Sequence, residues 1–169
     1  MPLDRFATEA SKISEESSRQ AVIPLTTLGF WFYDLSSVYN TITLDRDLEI
    51  GDPEAIALRK TLRTMTWWAT ALLGSLGVSD PAAALVAEYG RSSVKHPGMT
   101  LDADGHTDET RFYALAEEVG EVAAALTYDN TDGTGHNADL ISEVTQVGAL
   151  ALAWATRYLE DEEEEEGNE

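Results

Sequence analysis

The chain contains no cysteine. That removes disulfides, thiolate metal sites and cysteine nucleophiles, and it fits a reducing compartment. No stretch reaches eighteen uninterrupted apolar residues, so no membrane span is expected. The first twenty residues, MPLDRFATEASKISEESSRQ, lack the apolar centre of a secretory signal, and a cytoplasmic location is the expectation. Basic residues are also scarce: 11 Lys and Arg stand against 31 Asp and Glu, a formal charge of −20. Phosphate backbones demand concentrated Lys and Arg, so nucleic acid is not an expected partner.

What is present suits one soluble globular unit. A chain of 169 residues can bury roughly 70% of its extended surface. Apolar residues make up 43% of it, enough to line such a core. The run from Glu160 to Glu166 is acidic without interruption. Such a run repels itself and sits unfavourably at a helix C-terminus, so residues 161–169 are expected to form a disordered tail.

Along the chain, Ala7 to Gln20 is polar and helix-compatible, with a thin apolar periodicity that marks no strong packing face. The segment AVIPLTTLGFWFYDLSSVYNTITL is the most apolar, with Phe30, Trp31, Phe32 and Tyr33 consecutive. Periodicity leaves helix and buried strand both open there; helical neighbours favour helix. Its aromatics suit a core or subunit contact better than a nucleobase platform. Asp52-Pro53 and Asp80-Pro81 each combine an acidic N-cap with proline at the first helical position. After the first pair, Leu58, Leu62, Met65, Ala69, Leu72 and Leu76 recur at steps of three and four until Gly77. After the second, Ala82, Leu85, Val86 and Tyr89 do so.

Beyond Gly90, RSSVKHPG isolates Arg91, Lys95 and His96 in an acidic protein. They could receive anionic phosphate groups, or they could complement a helix dipole. His106 and His136 lack metal-ligand spacing and read as solvent-exposed loop residues. From Arg111 to Leu126, a helix would bury Leu115, Val119, Val122 and Leu126. Glu118 and Glu121, three residues apart, share one of its faces. The next helical pattern buries Leu140, Val144, Val147, Ala151, Trp154 and Tyr158, with Glu143 and Gln146 beside the stripe. The small residues Gly148, Ala149, Ala151, Ala153 and Ala155 would admit a close neighbour. Carboxylates near an apolar stripe are costly unless a cation compensates them. Two readings stay open at this level: a divalent-metal site, and a charged helix boundary in an acidic protein.

EEVGE at Glu117 to Glu121, a polar break, and ExxQ at Glu143 to Gln146 resemble the MazG-like all-alpha nucleoside triphosphate pyrophosphohydrolases. RSSVKHPG looks like the basic segment upstream of that motif. The resemblance covers roughly Ala83 to Tyr158. It implies an all-α, MazG-like helical bundle assembled as a homo-oligomer, a dimer or tetramer. It divides the chain into an N-terminal helical region (1–80) and a MazG-like core (81–160). It further implies a Mg²⁺- or Mn²⁺-dependent hydrolase of phage-type affinity that cleaves a nucleoside triphosphate to monophosphate and pyrophosphate. Glu118, Glu121, Glu143 and Gln146 would hold the metal, Glu117 would orient the attacking water, and Arg91, Lys95 and His96 would receive the substrate. Gln146 stands where the family pattern has Asp; its amide oxygen can coordinate but adds no charge. Asp139 could partly replace the lost carboxylate. The alternative is a catalytically impaired MazG-like structural or nucleotide-sensing protein of a phage or its host.

Overall fold

A computed structural model describes residues 2–43, 48–127, 130 and 138–159. Its elements are six helices: α1 (Pro2–Ser17), α2 (Pro24–Ile42), α3 (Pro53–Ser75), α4 (Pro81–Lys95), α5 (Asp108–Ala125) and α6 (Leu140–Thr156). The protein is an all-α helical bundle. The acidic run from Glu160 and His136 lie outside the described residues.

Proline opens α2, α3 and α4 at the first turn, where its missing N–H costs nothing and its fixed φ suits a helix. Asp80 caps α4 by accepting from the Ala83 N–H at 2.9 Å. Asp52 instead turns its carboxylate back to the Glu49 N–H at 3.1 Å. The α3 helix stops at Gly77, whose φ of +90° suits a residue without Cβ. Gly90 does not end a helix: α4 runs on through it, so Arg91 and Lys95 occupy its last turns.

The centre of the bundle is α6. From Val144 to Thr156 almost every residue is buried, as expected of a helix surrounded on all sides. It packs against α3, α5, α4 and α1. Gly148 permits a close approach of α4 and α3, because a Cβ there would stand 2.8 Å from Leu85 Cδ2 and 2.9 Å from Ala69 Cβ. On α3, Leu58, Leu62, Met65, Ala69 and Leu72 are buried as their spacing predicts.

Two expectations need correction. The first helix does have a strong packing face: Phe6, Ala10, Ile13 and Ser17 are all buried, at steps of four, three and four. Its small members, Ala10 and Ser17, made the stripe look thin. Leu126, expected in the α5 stripe, is the exposed C-cap beyond the helix. One buried cluster runs from Phe6 to Tyr158, so α1 to α3 and α4 to α6 share a core.

Polar ties cross this core. The Arg111 guanidinium is 2% exposed and donates to the Leu101 carbonyl at 2.7 Å, the Ala103 carbonyl at 2.6 Å and Asp108 at 3.0 Å. Asp108 also accepts from Trp154 Nε1 at 3.2 Å and from the Tyr158 hydroxyl at 2.9 Å. This knot fastens the loop before α5 to the end of α6.

Candidate functional site

The last turns of α4, the inward side of α5 and the middle of α6 enclose a cavity of about 240 Å³. Arg91, Lys95 and His96 stand on one wall, with Glu118 and Gln146 facing the same space. Five of the eight residues singled out from the sequence therefore meet there, contributed by three helices. Glu117, Glu121 and Glu143 are not part of this wall. Glu117 and Glu121 are exposed on α5, and Glu143 is half-buried on α6.

Electrostatics tie these groups together. Burial pushes the Glu118 carboxyl up to about 7, aided by the negative charges of Glu143, Glu121, Glu117 and Glu88. Glu143 is raised too, by burial first and then by Glu121, Asp139 and Glu88. Arg91 is raised above its ordinary value by its hydrogen bonds to Glu88, with Glu118 adding a smaller attraction.

Feeling one another's charge is not the same as converging on one ion. Ligand oxygens must come within about 2.0–2.6 Å of a common Mg²⁺ or Ca²⁺, whereas like-charge repulsion persists over several ångströms. Among the described residues, no group of three or more His, Cys, Asp or Glu could hold a metal ion. The expected Mg²⁺ or Mn²⁺ centre of Glu118, Glu121, Glu143 and Gln146 is thus corrected. Metal-dependent pyrophosphohydrolysis, with Glu117 as its water-orienting group, falls with it.

Local hydrogen bonds show where the acidic side chains are spent. The Gln146 amide donates to Glu143 Oε2 at 2.7 Å, turning its nitrogen rather than its oxygen to the carboxylate. Asp139 does not stand in for a ligand. It is the N-cap of α6 and accepts from the Ser142 N–H at 2.8 Å. Glu88 is gripped by Arg91 through Nε, at 2.8 Å, and Nη2, and by the Ser92 hydroxyl at 3.1 Å.

Glu88 is a cavity residue that the sequence reading did not single out, and Tyr89, read there only as part of the α4 stripe, also lines the cavity. The Tyr89 hydroxyl donates to Asp102 at 2.7 Å. The signal for Glu88 was available, since Glu88 and Arg91 are three residues apart on one helix. His106 also departs from expectation: it is half-buried, and its Nε2 is buried without a hydrogen-bond partner among the described residues.

No protein-family model matches the sequence, and no curated protein or solved structure matches it. The hydrolase, metal-binding and phage attributes that the motif resemblance implied are accordingly replaced by a coarser description, an all-α helical bundle. Among the described residues, no helix is long and apolar enough to cross a membrane.

Proposed function

We propose that this bundle is a nucleotide-sensing protein without turnover, a MazG-like arrangement that has kept a phosphate-receiving cavity and not the metal chemistry. The observation that carries the reading is the gathering of Arg91, Lys95 and His96 on one wall of the cavity between α4, α5 and α6. Two cations and an imidazole N–H at one opening, in a chain of net charge −20, give a local attraction for phosphate oxygens. Glu118 opposes them weakly near neutral pH, because its carboxyl is held at about 7 and readily keeps a proton.

A space of about 240 Å³ falls below the roughly 300–1,000 Å³ of sites that enclose a whole small molecule. It suits the phosphate end of a nucleoside triphosphate, with the base left toward solvent. Arg91 would exchange part of its grip on Glu88 for the ligand.

Isothermal titration with each nucleoside triphosphate, in EDTA and again in Mg²⁺, tests the reading. Expected are binding that survives EDTA, no release of pyrophosphate, and affinity reduced by about tenfold or more in Arg91→Ala/Lys95→Ala. Absence of binding in EDTA, or equal affinity in the double variant, would sink it.

The same proposal includes self-association. Leu25, Phe32 and Tyr39 recur every seven residues along α2 and are exposed, as is Tyr113 on α5. Exposed large apolar side chains on one helix face suit a subunit contact. Light scattering should find a dimer or tetramer that Phe32→Glu/Tyr39→Glu converts to monomer. A monomeric wild-type chain would remove this part of the proposal.

A further inference from the structure

A second cavity, of about 360 Å³, lies where α3 and the end of α6 meet α1, and it shares no wall residue with the first. Its interior is apolar, from Ile56, Leu152, Ala155 and Leu159. Its rim is mainly cationic: Arg59, Lys60 and Arg63 line it, and the one acidic wall residue, Glu9, is held by Lys12 at 2.9 Å with Arg63 at 3.9 Å. Three of the chain's 11 basic residues thus fall within one and a half turns of a single helix.

Ordinary structural roles account for only one of the three. Arg63 is held by Glu16, Nη2 at 2.7 Å and Nη1 at 3.1 Å, with Glu9 at 3.9 Å from its Nε. Arg59 and Lys60 have no ion pair among the described residues, although acidic residues outnumber basic ones almost threefold. The helix dipole does not explain them either, since basic residues are favoured in the last turn and these lie in the first half of α3. Ile56 on the cavity wall is 45% exposed.

We infer that this cavity binds a free amphipathic carboxylate, a hydrocarbon chain seated between α3 and α6 with its head group held by Arg59 and Lys60. The volume lies within the range for small-molecule sites, roughly 300–1,000 Å³. An apolar body with one anionic end is the chemistry that matches apolar walls and a cationic rim. Arg63, already neutralised by Glu16, would stiffen the rim rather than take the head group. The free molecule is favoured over an anionic bilayer, because a chain of net charge −20 is repelled by a negative surface.

Decanoate below its micelle concentration is the probe, titrated calorimetrically into the full-length protein, with decanol and acetate as the chain-only and head-only controls. Expected is one saturable site for decanoate, with both controls at least about tenfold weaker. Arg59→Gln/Lys60→Gln and Ile56→Glu, each checked for unchanged helicity, should both lose about tenfold or more. Equal binding by the charge variant would overturn the inference, as would the absence of a saturable site. Co-sedimentation with phosphatidylglycerol vesicles without decanoate binding would assign the rim to a membrane surface and overturn it. The acidic run follows directly after Leu159 in the sequence. Binding that appears only when Glu162 to Glu166 are replaced by Gln would give the rim to the chain itself, and would equally overturn it.

Discussion

Two helical glycines predict opposite outcomes for the same substitution. Alanine replaces glycine favourably in an open helix interior, by about 0.5–1 kcal/mol. Gly120 on α5 is exposed and nothing lies within 4 Å of an added Cβ, so Gly120→Ala should stabilise by about that amount. At Gly148 the new methyl would press on Ala69 Cβ at 2.9 Å, and Ala69 has no rotamer with which to yield. Overpacking costs about 1–3 kcal/mol, which outweighs the propensity gain, so Gly148→Ala should destabilise. Urea midpoints of the two variants should move in opposite directions; movement in the same direction would contradict the packing described. Asp34 is the other telling residue. It is 7% exposed on α2, its Oδ2 lacks a hydrogen-bond partner among the described residues, and burial pushes its carboxyl up to about 6 from an ordinary 3.8. The folded state therefore holds a proton that the unfolded state gives up, and stability falls as pH rises through that window. Asp34→Asn should flatten this fall and raise stability at pH 7 by on the order of 1–3 kcal/mol. Denaturation at pH 4.5 and 7 reads it, and an unchanged slope would mean that the carboxylate is better solvated than its position implies.

Among the elements, the junction of α5 with α6 depends on the knot around Asp108. This carboxylate accepts from Arg111, Trp154 and Tyr158. Removing one partner of a buried ion pair costs about 3–5 kcal/mol, because the other charge is stranded. Asp108 retains 21% side-chain exposure, which places Asp108→Asn near the lower figure, roughly 3 kcal/mol. The double variant with Arg111→Met should cost less than the sum of the singles, since the stranded cation goes with it. Additive losses in a double-mutant cycle would show that the pair is not coupled. Nothing in the sequence announced this knot. Helix starts were legible because Asp-Pro pairs carry a local mechanism, and the α3 and α6 stripes because large apolar residues mark them. A buried Arg111 looks like any surface arginine until the loop carbonyls of Leu101 and Ala103 are seen to surround it. The α1 stripe was obscured for a related reason, as Ala10 and Ser17 become core residues only where another helix comes close.

At the scale of the whole molecule, the candidate site was legible in part. Which residues lie on the same helix follows from spacing, and that placed Arg91 with Lys95 and Glu118 with Glu121. Whether carboxylates on different helices converge depends on how the helices are rotated and offset, and the motif order could not fix that. Glu118 turned inward, Glu117 and Glu121 stayed in solvent, and Gln146 took Glu143. The result is a cluster that repels without ligating, inside a chain already at −20, and it has a measurable pH signature. Burial first, then neighbouring carboxylates, raise Glu118 from an ordinary 4.5 to about 7. A raised carboxyl favours the protonated form in the folded state, so its contribution is present at low pH, declines as pH rises from about 4.5 to 7, and is gone above that. Glu16 and Asp104, both lowered by Arg partners, act in the opposite sense and only in more acidic solution. Thermal denaturation should therefore give a higher midpoint at pH 6 than at pH 8. Glu118→Gln should raise the pH 8 midpoint and shrink the difference, whereas Asp34→Asn should raise the pH 6 and pH 8 midpoints nearly alike, because its titration is largely complete by pH 6. Salt should help the wild type most at pH 8, where screening weakens the like-charge repulsion. A wild-type midpoint that rises from pH 6 to pH 8 would place the dominant titration on some other group and remove Glu118 from the centre of the cluster.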